Sequence, residues 1–132
     1  MSTPVVMVVD DTALARESVA RLLEYEGFKT IKAANGKEGY AMLYTQTPDL
    51  ILLDLMMPEM DGVTFLRMVR RSPQWENIPV IILTGVKDDD QLIARARELR
   101  IDDVIPKASF GFDDLLSRVR KAIPPLDTTV KV

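Results

Sequence analysis

The chain contains no cysteine and no histidine. Disulfides are therefore impossible, and zinc sites built from thiolate or imidazole are excluded. Ser–His and Cys–His nucleophile systems are excluded with them. Any acid–base or metal chemistry falls to carboxylates, lysine and hydroxyls. No apolar run approaches the length needed to cross a membrane. The N-terminal MSTPVVMVVDD turns acidic too soon for a signal peptide. The lack of cysteine is compatible with a reducing compartment, so a cytoplasmic location is expected. A strong excess of one charge is also missing: 17 basic and 20 acidic residues leave a formal net charge of -3. Nothing in that balance calls for a polyanion, and direct nucleic-acid binding is not expected. No repeat or low-complexity stretch interrupts the 132 residues, of which 47% are hydrophobic and 28% charged. Such a chain suits one globular domain.

What is present is a regular alternation. VVMVV at 5–9 is an unbroken β-branched run ended by two aspartates, the mark of a strand buried on both faces. Helical spacing follows, with Ala15, Val19, Leu22 and Leu23 on one face and Gly27 just beyond. FKTIKAA at 28–34 predicts a second strand, and Asn35-Gly36 turns into a short helix over about 37–46. A third buried strand, 50–53, ends at Asp54, and a helix is expected over roughly 63–70. IPVIILTG at 78–85 repeats the strand pattern, followed by a helix over roughly 89–99 burying Leu92, Ala96 and Leu99. IDDVI at 101–105 is a short fifth strand. The last helix, about 112–123, places Phe112, Leu115, Leu116, Val119 and Ile123 on one face, and Pro124-Pro125 stops it. Five strand–helix units with short connections assemble most naturally as a parallel sheet covered on both faces. Residues 1–123 read as the domain, and 124–132 as a tail or the start of a linker.

In a doubly wound sheet, functional groups collect beyond the carboxyl ends of the strands. There the first strand delivers Asp10 and Asp11, the third Asp54, the fourth Thr84, and Lys107 follows the fifth. Three neighbouring carboxylates repel one another, and a hard divalent cation resolves the repulsion. Mg²⁺ fits, because it takes oxygen ligands and is often held by one or two carboxylates plus phosphate oxygens. Asp54 is then the expected nucleophile and phosphoacceptor as well as a metal ligand. Asp11 is expected to bind Mg²⁺ directly, Asp10 directly or through water, and the Met56 backbone carbonyl to add a further ligand. Thr84 offers a hydroxyl hydrogen bond, and Lys107 a point charge, to phosphoryl oxygens.

Four pieces in order, VVDD at 8–11, LLDLMMPEMDG at 52–62, PVIILTG at 79–85 and IPK at 105–107, resemble the receiver domain of bacterial two-component response regulators, chemotaxis regulators included. The resemblance covers about 120 residues. It implies a flavodoxin-like (βα)₅ fold with strand order 2-1-3-4-5. It implies phosphoryl transfer to Asp54 from a histidine kinase or phosphotransfer protein, and Mg²⁺-dependent self-dephosphorylation. The output would be altered binding to a downstream target or to an effector domain absent from this chain, with phosphorylation-dependent homodimerisation left open. Val104 stands where family members often carry Tyr or Phe, and Ala108 where they usually carry a proline, often cis. Met56 and Val86 flank the expected path of attacking water and favour slow hydrolysis.

Two other classes compete. A phosphorylation-independent interaction module would keep the fold without using the pocket, and Val104 and Ala108 favour it. A multi-turnover phosphohydrolase of the haloacid-dehalogenase type would carry a second aspartate two residues after the nucleophile, where this chain has Met56. Asp61-Gly62 reads as a helix start, Asp88, Asp89 and Asp90 as a solvated helix start, the methionines at 56, 57 and 60 as loop packing, and Trp75 as an edge or loop contact.

Overall fold

The computed structural model describes residues 3–85, 90–107 and 111–123. Its strands are β1 (Val5–Val9), β2 (Lys29–Ala33), β3 (Leu50–Asp54), β4 (Val80–Thr84) and β5 (Asp103–Pro106). They alternate with α1 (Ala13–Tyr25), α2 (Gly36–Leu43), α3 (Gly62–Arg70), α4 (Asp90–Arg97) and α5 (Phe112–Ala122). All strand pairs are parallel, in the order β2-β1-β3-β4-β5, as expected from the resemblance.

The three apolar runs explain this order. β1, β3 and β4 are buried at every residue, so they take the centre, while the half-polar β2 and β5 take the edges. Period-two alternation then divides the core. Met7, Val9, Ile51, Leu53 and Ile82 face Leu43, Phe65, Leu66, Val69 and Ala96, beneath α2, α3 and α4. Val6, Val8, Leu50, Leu52, Ile81 and Leu83 face Val19, Leu23, Leu115 and Val119, beneath α1 and α5. The chain passes from β2 back across β1 to β3, which makes the β1/β3 boundary the switch point where such sheets bind ligands.

Several boundaries differ from the sequence reading. β5 starts at Asp103 because Asp102 does the pairing with β4 locally: its amide donates to Val80 O (2.8 Å) and its carboxylate accepts from Val80 N (3.2 Å). α2 stops at Leu43 because the Thr45 amide (3.0 Å) and hydroxyl (2.8 Å) both turn back onto the Met42 carbonyl. Leu92 and Leu99 are only half-buried, leaving Ala96 as the fully covered residue of α4. Phe112 is 59% exposed rather than part of the buried stripe. It opens α5, and the core contacts of that helix begin at Leu115. Trp75 is buried, packed edge-on against Tyr40 and Tyr44. The expectations placed on Val86, Asp88, Asp89, Ala108 and residues 124–132 lie outside the described residues.

Arg70 ties the end of the sheet opposite the strands' carboxyl ends. Its guanidinium donates to the carbonyls of Leu99 (2.8 Å), Glu76 (3.0 Å), Ile78 (2.7 Å) and Arg100 (2.6 Å). Arg100 has a left-handed φ of 63°, which turns its carbonyl out of the helical path. Arg70→Met, which keeps the stem and deletes every donor, is expected to cost about 2–3 kcal/mol in urea unfolding. A loss below about 0.5 kcal/mol would show that water replaces these bonds at no cost.

Candidate functional site

Asp10 leaves β1 in a fully bonded setting. Its amide continues the ladder to Ala33 O (3.1 Å), and its Oδ1 accepts the Thr12 amide (2.9 Å). Its Oδ2 accepts Lys107 Nζ (3.0 Å), and its carbonyl accepts Arg16 Nη1 (2.8 Å). Only 1% of Asp10 is exposed. The next residue, Asp11, is exposed. Asp54 closes β3, where register sets it opposite Leu83 of β4, and it is 3% exposed. One carboxylate oxygen from each of Asp10, Asp11 and Asp54 lies within 4.8 Å of the others.

Lys107 Nζ also lies 3.5 Å from Asp54 Oδ2, so one ammonium spans both buried carboxylates. On the other side, the Met56 amide faces Asp54 Oδ1 at 3.4 Å, while Met56 as a residue is 49% exposed. Thr84 is buried one residue beyond Leu83. Its hydroxyl points to Ile105 O (3.5 Å), and its carbonyl accepts the Lys107 amide (2.7 Å). Thr84 and Lys107 are thereby joined through the backbone.

The loop after Asp54 is held by Asp61 and Gly62. Asp61 Oδ1 caps α3 through the Thr64 amide (2.8 Å), and the Gly62 amide donates to Leu55 O (2.8 Å). Gly62 lies so close to β3 that a Cβ there would sit 2.4 Å from Asp54 O. The expected helix-start role of this pair is what the structure has.

Burial pushes the Asp54 carboxyl up from its ordinary 3.8 to about 7. The Asp10 charge and a hydrogen bond with Asp11 push the same way, and Lys107 and the Met56 amide offset part of it. Burial pulls Lys107 down, but the hydrogen bond to Asp10 and the charge of Asp54 outweigh it, and its pKa is raised. The donor set is made of hard carboxylate oxygens, two of them on buried residues that repel one another. This suits a divalent cation of the Mg²⁺ type.

The six residues singled out from the sequence thus gather at the carboxyl ends of β1, β3 and β4 and just after β5. The contribution of Arg16 was not read from the sequence. An arginine six residues after an aspartate has no recognisable pattern of its own, and only the path of α1 brings it back.

The sequence profile of the response regulator receiver domain matches residues 6–120. The phosphate regulon transcriptional regulatory protein PhoB of Pseudomonas aeruginosa is 34% identical over 118 residues, 89% of this chain and 51% of that protein. This chain spans about half the length of the curated relatives it matches. Among solved structures, the signal receiver domain of a signal transduction histidine kinase from Syntrophus aciditrophicus superposes with a TM-score of 0.83 at 32% identity, covering 98% of this chain and 93% of that one. The chemotaxis protein CheY4 of Vibrio cholerae gives a TM-score of 0.83 at 25% identity over 92% of this chain and 99% of its own.

Proposed function

This chain belongs to the response regulator receiver family, and from that premise we propose that it is a phosphorylation-controlled switch with Asp54 as the phosphoacceptor. The observation that carries the proposal is the cluster of Asp10, Asp11 and Asp54 with Lys107 placed across it.

An Asp54 carboxylate oxygen attacks phosphorus, the bond from phosphorus to the donor breaks, and the leaving group departs with the electron pair. Asp54 reacts as the carboxylate, so its proton must leave first, which the ammonium of Lys107 favours. Asp11, Asp54, the Met56 carbonyl and, directly or through water, Asp10 are the residues that would hold Mg²⁺. When bound, the cation would supply positive charge that offsets the negative charge of the phosphoryl oxygens. Lys107 pairs with one phosphoryl oxygen, and Thr84 donates its hydroxyl to another, giving up its long bond to Ile105. In the reverse phase, water attacks phosphorus, the bond to Asp54 breaks, and inorganic phosphate leaves. The Met56 side chain at the rim favours a slow reset.

The donor is a histidine kinase or phosphotransfer protein, and the site is cytoplasmic on this reading. The receiver of the signal is a downstream protein, an effector domain or a second copy of the chain. Among the described residues no helix is long and apolar enough to cross a membrane.

One observation favours a second reading. Val104 is half-buried against the core and carries no ring that could swing inward. If it uncouples the pocket from the output face, target binding is independent of phosphorylation. Incubation with acetyl phosphate and Mg²⁺, followed by intact mass, tests the first reading: one added phosphoryl group, lost without metal and in Asp54→Asn. Equal target affinity with and without that group would select the second reading. Steady turnover of small phosphoesters would contradict both.

A further inference from the structure

Asp11 follows the peptide group that joins it to Asp10 at the end of β1, and one side chain outside the acidic cluster bonds to that group. α1 begins at Ala13, with Thr12 as a cap residue whose side chain makes no capping bond. Arg16 sits in the second turn. Helical side chains lean toward the N-terminus, so its guanidinium reaches back over the first turn and donates to Asp10 O at 2.8 Å. That carbonyl belongs to the peptide group joining Asp10 to Asp11. The side chain is only 17% exposed, and Glu17 lies 3.8 Å from its Nε.

We propose that Arg16 is a positioning residue for the metal site, fixing the Asp10–Asp11 peptide plane and so aiming the Asp11 carboxylate at Asp54. The inference rests on the reading of the pocket as a Mg²⁺ site. The rest of Asp10 is held by Ala33, Thr12 and Lys107. The Lys107 bond, however, belongs to the group that must turn toward a phosphoryl oxygen. When it turns, Arg16 keeps the peptide in place. Partners lying just outside a metal's ligands typically change affinity about 10–100-fold when removed.

Charge and positioning make opposite claims here, which gives the test its edge. As a cation near a cation site, Arg16 should weaken Mg²⁺ binding, and its removal should tighten binding by up to a few-fold. As a positioning group it should strengthen binding, and its removal should weaken it. The test is calorimetric Mg²⁺ titration, without any phosphodonor, of wild type, Arg16→Met and Arg16→Lys. The expected result is about tenfold weaker binding in Arg16→Met, with partial recovery in Arg16→Lys. The rate of phosphoryl uptake at saturating Mg²⁺ should stay within about twofold of wild type, while the Mg²⁺ concentration for half-maximal uptake shifts.

Wild-type or tighter affinity in Arg16→Met would overturn the inference. Should that variant fail to fold, Arg16→Gln and Arg16→Lys decide, and wild-type affinity in both overturns it. If wild type itself binds no Mg²⁺, the reading of the pocket fails. If wild type binds and the variants match it, only the role of Arg16 fails.

Discussion

Gly62→Ala is expected to lower stability by about 3 kcal/mol and to displace Asp54. The added Cβ would lie 2.4 Å from Asp54 O, 2.7 Å from Leu55 Cα and 3.1 Å from Leu55 Cδ2. The two nearest atoms are backbone at the end of a central strand, which a rotamer change cannot move. Either α3 retreats and the Gly62 amide loses Leu55 O, or the Asp54 carbonyl shifts and its side chain moves with it. Gly27→Ala is the comparison. Gly27 has a left-handed φ of 99° but nothing within 4 Å of the new atom, so only backbone strain of about 1 kcal/mol applies. Urea unfolding of the two variants separates the causes. A Gly62→Ala loss no larger than that of Gly27→Ala would mean the helix start is free to slide, contradicting the tight approach of α3 to β3.

The second large effect concerns pH in metal-free protein. Asp54 has a folded pKa of about 7, against an ordinary 3.8. Below pH ~4 the carboxyl is protonated in both states and carries no penalty. As pH rises toward 7 the unfolded chain releases this proton while the folded chain keeps it, so stability falls. Above pH ~7 the full penalty applies, on the order of 2–4 kcal/mol. Asp54→Asn removes the titration with little change of shape. Without metal, the variant should be the more stable protein at pH 8, and the difference should shrink toward pH 4. Comparing the two proteins cancels the other carboxylates. The stabilising contribution of the raised Lys107 pKa is lost only in the alkaline range, outside this window. Mg²⁺ should restore the wild type selectively. Thermal melts at several pH values would contradict this if the difference were constant, or if wild type were the more stable protein at pH 8.

Legibility in the sequence followed how local the cause was. β1, β3 and β4 are runs of apolar residues covered on both sides, and such runs declare themselves without knowledge of their neighbours. Of the candidate site residues, Asp10, Asp11, Asp54 and Thr84 were legible because they end those runs, and the topology of a parallel sheet brings the ends of strands together, Lys107 after β5 included. The apolar pattern starts β5 at Ile101, two residues early, because Ile101 looks like a strand residue, while the decisive contact is between the Asp102 carboxylate and an amide 22 residues away. Phe112 fits the apolar stripe of α5, but a helical period does not say where the sheet beneath ends. Arg70 and Arg16 spend their donors on backbone carbonyls. A carbonyl acceptor has no residue identity, so no sequence pattern announces such a bond.

The most direct measurement locates the phosphoryl group. Protein incubated with acetyl phosphate and Mg²⁺ is quenched with borohydride, which reduces an aspartyl phosphate to homoserine as phosphate leaves, and is then mapped by peptide mass. The expected result is homoserine at residue 54 alone, absent when metal is withheld. Homoserine at Asp10 or Asp11, or a phosphorylated protein with none at residue 54, would contradict the assignment of Asp54 as the acceptor.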